Sequence, residues 1–135
     1  MVLSSGGVLY SICANMETGS GNIDAEYRFD ISGQQKPTII HKLDQTNSTN
    51  SVIIGYSDGS ISLLQNFEKF ENLVGPGSRV ANFNSLIHNQ TIHLFFSRVS
   101  NLEFISFSIQ NRNVKFNESS RKQFETKSLP FICIR

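Results

Sequence analysis

The chain has 135 residues, 39% of them hydrophobic and 17% charged, with a formal net charge of +1. That length fits one domain able to bury about two-thirds of its unfolded surface, and the composition excludes a disordered chain and argues against a densely basic nucleic-acid binder. No apolar run approaches the about 18 residues of a membrane-spanning helix, and Met1-Val-Leu-Ser-Ser-Gly-Gly lacks the charge and apolar stretch of a signal peptide, so an intracellular location, cytoplasmic or nuclear, is expected.

Apolar residues recur mainly with period two, which predicts strands. The first runs over Val8–Cys13. After the Gly-rich Gly19-Ser-Gly21, a second is expected from Ala25 to Ile31, with Tyr27, Phe29 and Ile31 on one face and Arg28 and Asp30 on the other. Ser32-Gly33 breaks it, and Pro37 opens a short β-branched run, Thr38–Leu43, that suits an edge position. Asp44 to Ser51 is polar throughout and reads as a loop.

Val52–Tyr56 and a return strand carrying Ile61 and Leu63 flank Ser57-Asp58-Gly59, whose Asp-Gly pair supplies the positive φ of a tight hairpin. Phe67, Phe70, Leu73 and Val74 are spaced by three and four, which predicts a turn or two of helix ending at Gly75-Pro76-Gly77. Arg79–Ile87 reads as a strand with Val80, Phe83 and Leu86 inward. Ile92–Phe96 and Leu102–Ile109 then form a second hairpin around Val99-Ser100-Asn101, the first strand apolar enough to be an inner one. Val114–Phe116 is a short outer strand, Asn117 to Thr126 a loop or weak strand, and Leu129–Ile134 a closing apolar strand.

Two hairpins with the same grammar therefore begin 40 residues apart, at Val52 and Ile92, and a looser copy begins at Val8. With Arg79–Ile87 before the second hairpin and Val114–Phe116 after it, the order resembles the four-stranded blade of a WD-repeat β-propeller, most closely over residues 52–116. In that resemblance Tyr27-Arg28-Phe29-Asp30 occupies the place of the closing Trp-Asp pair. Trp and the Gly-His signature are absent from the chain. The resemblance implies an all-β chain of about three blade-like units, near 1–43, 44–78 and 79–135; a β-sandwich or barrel satisfies the same spacing. Three blades do not close a ring, so the resemblance further implies a piece of a larger propeller, a homo-oligomer that completes the ring, or a protein partner against whose blades the chain lies.

The residues that carry chemistry are sparse. His41, His88 and His93 have no metal-ligand spacing, although His88 and His93 could meet across a hairpin at Asn89–Thr91. No phosphate-binding loop or nucleophile elbow occurs. No cofactor, metal or catalytic residue is expected, and the chain is read as no enzyme. Cys13 and Cys133 sit in apolar runs and are expected to be buried thiols, with a disulfide between them as the alternative. The sequons at Asn47, Asn89 and Asn117 are no more than an Asn- and Ser-rich chain generates by chance. The functional expectation is a non-enzymatic protein-interaction module or complex subunit, with Tyr56 and Asp58 in one turn and Arg98 and Asn101 in the equivalent turn forming a binding rim. The alternative is a small lectin-like protein, oligomeric, stacking sugars on Tyr10, Tyr27, Tyr56 or some of the eleven Phe, most of which belong to the core.

Overall fold

A computed structural model of the chain describes residues 1–15, 17–33, 35–43, 51–99, 101–116 and 122–125. They form three antiparallel sheets and, among the described residues, no helix. Sheet A contains β1 (Val2–Leu3), β2 (Val8–Asn15) and β3 (Ser20–Arg28) in that order. Sheet B contains β4 (Pro37–Leu43), β5 (Ser51–Tyr56), β6 (Ile61–Gln65) and β7 (Lys69–Val74), again in chain order. Sheet C runs through β8 (Asn82–His88), β9 (Thr91–Ser97), β10 (Asn101–Gln110) and β11 (Asn113–Phe116), and β12 (Lys122–Glu125) pairs with the first part of β10.

The hairpin turns follow from local chemistry. Asn66-Phe67, Asn89-Gln90 and Asn111-Arg112 each have positive φ at both residues, the signature of a type I′ turn, and each begins with the asparagine that tolerates it best. Asp58-Gly59 closes the β5–β6 hairpin with Gly59 at φ 83°, where a Cβ would overlap the backbone of Gly77.

Two apolar clusters join the sheets. One contains Leu43, Ile53, Ile61, Leu63 and Val74 of sheet B with Phe83, Ile92, Leu94, Phe96, Ile105 and Phe107 of sheet C. The other contains Val52, Ile54, Tyr56 and Leu64 of sheet B with Leu9, and Leu3, Tyr27 and Phe29 pack against it from sheet A and its flank. Sheet B therefore lies between A and C. Every residue of β5 and β6 is buried, including Ser51, Ser62 and Gln65.

Like elements touch like elements across the B–C contact. Inner strands meet where His41 Nε2 lies 2.8 Å from Ser85 Oγ. At the outer side, Gln65 Nε2 donates to Arg112 O at 3.0 Å, joining the β6–β7 turn to the β10–β11 turn. Lys69 Nζ adds bonds to Arg112 O at 2.6 Å and Asn113 Oδ1 at 2.7 Å. Across the A–B contact, Tyr27 and Phe29 set their rings edge-on to Phe70, at 4.9 and 5.9 Å.

Several expectations are corrected. The three-and-four spacing after Asn66 is not helical: the positive φ of Asn66 and Phe67 opens a hairpin, and a bulge lies where Ile61 pairs with Val74 but Ser62 with Asn72. That skip sends Phe70 to one cluster and Leu73 with Val74 to the other. Leu86 is exposed, because β8 alternates and Phe83, not Leu86, faces sheet B. β4 pairs with β5, so Pro37–Leu43 belongs to sheet B and not to the first unit. β3 spans Ser20–Arg28, five residues earlier at its start than Ala25, since β2 and β3 continue as a two-stranded ribbon to Asn15 and Ser20. Cys13 lies on that ribbon and is exposed, not buried. Cys133 and Leu129–Ile134 lie outside the described residues.

Candidate functional site

The expected rim is built from three hairpin turns with a common closure. Ser4 N–H donates to Val8 O at 2.8 Å, Tyr56 N–H to Ser60 O at 3.0 Å and Arg98 N–H to Asn101 O at 2.8 Å. In each case the residue before the donor pairs with the residue after the acceptor: Leu3 with Leu9, Gly55 with Ile61, Ser97 with Leu102. Tyr56 and Arg98 thus occupy equivalent positions in successive sheets, and their roles differ.

Tyr56 is buried against the sheet A side of sheet B, its hydroxyl 2.7 Å from Ser62 Oγ. Burial disfavours the phenolate and raises its pKa above 10.0, against the smaller pull of the Ser62 hydrogen bond. Asp58 is half-buried and caps its own turn: Oδ1 accepts from Ser60 N at 2.9 Å and from Ser60 Oγ at 2.5 Å. Its carbonyl accepts from Gly77 N at 2.9 Å.

Arg98 crosses from one sheet to the next. Its guanidinium is buried, pairs through Nε with Glu103 Oε2, and donates through Nη1 to Gly59 O at 3.1 Å and to Ser78 O. The guanidinium carbon also lies 5.3 Å from the Phe96 ring centroid. One side chain thereby fixes the β9–β10 turn to the β5–β6 turn and to the segment entering β8. The planar fork of donors is what permits three partners at once. Asn101 is half-buried; its carbonyl closes the turn and its Oδ1 is buried with no partner among the described residues.

The structure thus brings Asp58 and Arg98 to one rim and turns Tyr56 and Arg98 inward. Among the large apolar side chains of the described residues the most open is Val99, 87% exposed in the clamped β9–β10 turn. Sequence reasoning passed over Val99. Its signal was present: a β-branched apolar residue at the centre of a turn, where polar residues dominate.

The remaining candidates have local partners. His93 stands opposite Leu86, while His88 stands opposite Thr91, so the hairpin register does not set the two imidazoles face to face. His93 Nδ1 is 2.8 Å from Ser106 Oγ and its ring stacks on Phe104 at 5.8 Å; His88 bonds with Asn89 Nδ2 at 3.2 Å. Among the described residues no three His, Cys, Asp or Glu side chains gather into a metal-ligating group. Among the sugar-stacking candidates, Tyr27 spends its ring on Phe29 and Phe70 and Tyr56 is buried. No described helix is long and apolar enough to cross a membrane. No known protein family, curated protein or solved structure matches the chain.

Proposed function

We propose that this chain is a non-enzymatic protein-interaction module: a stack of blade-like sheets of the WD-repeat propeller kind that docks a protein partner through its turn rim and exposed sheet edges. The observation that carries the reading is Val99, held 87% exposed on a turn whose base is fixed by the buried Arg98. An apolar side chain presented on a rigid base loses little entropy when a partner covers it. The contact of like elements between sheets B and C supports the propeller-like arrangement over a sandwich, because successive blades repeat by a rotation that brings equivalent strands and turns together.

The test compares affinity capture by the wild type, Val99→Glu and Asp58→Ala, with folding checked by circular dichroism. The reading expects folded variants and at least a tenfold loss of captured partner for Val99→Glu. Folded variants that keep every partner at wild-type levels would contradict it.

A further inference from the structure

We propose that the chain binds a second copy of itself head to tail, the outer face of sheet C in one copy packing on the outer face of sheet A in the next. This names one partner for the interaction module proposed above and rests on that reading.

Both end faces are apolar at positions that the middle sheet buries completely. The shared turn closure aligns the repeats, so that Phe95, Leu102 and Phe104 on the outer face of sheet C are the counterparts of Ile53, Ile61 and Leu63. Those three residues of sheet B are fully buried beneath sheet C. The pairing is the same in both hairpins: Ile53 opposite Leu63, Phe95 opposite Phe104. On sheet C nothing lies over them among the described residues. Phe95 and Phe104 contact each other at 4.9 Å, and Leu86 beside them is 45% exposed.

At the other end the relation is mirrored. Val2 and Ile12 on the outer face of sheet A are the counterparts of Ile54 and Leu64, which sheet A itself covers in sheet B. Val2 is 49% exposed, Ile12 is 46% exposed, and Ile23, paired directly with Ile12, is 61% exposed. Exposed apolar residues gathered on one sheet face mark an interaction surface. The outer face of sheet A is such a face; on sheet C Leu86 is exposed while Phe95, Leu102 and Phe104 are half-buried, and each face is the counterpart of one side of a contact that already exists inside the molecule. The A–B and B–C contacts are therefore continued, not invented, when face C meets face A.

Charge favours the same pairing. Residues 1–33 carry Glu17, Asp24, Glu26 and Asp30 against Arg28 alone. In sheet C, Arg98 pairs with Glu103, and Lys122 and Glu125 of β12 cancel in formal charge, which leaves Arg112 and Lys115 on β11 and its turn. An acidic end thus meets a basic end, whereas A on A or C on C would set like charges together. A contact between two different faces is heterologous, so it generates a ring if the rotation closes and a filament if it does not.

Sedimentation velocity over a range of concentrations reads this directly. The wild type is expected to sediment as species larger than the monomer, shifting toward monomer as salt rises. Leu86→Glu puts a negative charge on the face meant for the acidic end, and Ile23→Lys a positive charge on the face meant for the basic end. Both residues are exposed, so both variants are expected to fold. In each variant alone every head-to-tail contact uses one damaged face, so each is expected to self-associate at least tenfold more weakly than the wild type, the dimer included. Mixed in equal amounts, they retain one intact face apiece and are expected to recover the dimer. A wild type that stays monomeric at every concentration, or variants that associate like the wild type, would overturn the proposal. If the chain is monomeric while Val99→Glu still abolishes partner capture, the interaction module stands and the self-stacking falls.

Discussion

The β5–β6 hairpin and its counterpart β9–β10 share a register and a turn closure, yet the first is buried on both faces and the second on one. Their alternation does not explain the difference, since Phe95 and Phe104 are as apolar as Ile53 and Leu63. Position in the stack does: among the described residues sheet B has a neighbour on each side and sheet C has one. Apolar character thus reports what a strand is built to touch, and burial reports what is present to touch it.

The largest effect expected from breaking this comparison is at Arg98, where the two hairpins are joined. Arg98→Met removes the guanidinium paired with the buried Glu103 carboxylate and the donor to the carbonyls of Gly59 and Ser78. Losing one member of a buried ion pair costs about 3–5 kcal/mol, and denaturant unfolding would read it. The double variant Arg98→Met with Glu103→Leu is expected to recover part of that loss, because no charge is then left unpaired.

Equivalent truncations on the two hairpins come next. Leu63→Ala opens a cavity between sheets B and C and is expected to cost about 2–5 kcal/mol. At the matching position Phe104→Ala removes a larger side chain from a half-buried face and is expected to cost less than Leu63→Ala. Equal losses, measured under conditions where the chain is monomeric, would mean that sheet C is covered after all.

A smaller effect separates the two turn residues. The Tyr56 pKa is raised by burial, so the folded state holds the phenolic proton more tightly than the unfolded chain. The stability this contributes is present below the unfolded value near 10 and is lost as pH rises through the folded one. Tyr56→Phe is expected to flatten the fall in stability above pH 10, measured as unfolding midpoint against pH; an unchanged profile would contradict the assignment.

Much of the scaffold was legible in the sequence because it is fixed by short-range chemistry. Asp58-Gly59 announced the β5–β6 turn, and the alternation of Leu102–Ile109 announced the strand β10. The helix expected after Asn66 failed because a bulge at Leu73 imitates helical spacing, and a bulge leaves no mark in the pattern beyond that imitation. The site was less legible. Arg98 in a polar turn reads as a solvated charge, and its burial depends on Gly59 and Ser78, 39 and 20 residues away. One clue was available: Glu103 shares the parity of Ile105 and Phe107, so it had to point inward and needed a buried cation. The exposure of Cys13 and Ile12 was hidden for the opposite reason, since an apolar run specifies a packing face but not the presence of its cover.

The account rests on a middle sheet that is the stable core and on end sheets whose outer faces no other described sheet covers. Native-state amide exchange on the dilute, monomeric chain tests this most directly. Amides of β5 and β6 are expected to exchange slowest, and those of the ribbon at residues 12–15 and 20–24 fastest among the strands. A ribbon protected as strongly as β5 and β6 would show that its outer face is covered within one copy and would contradict the account.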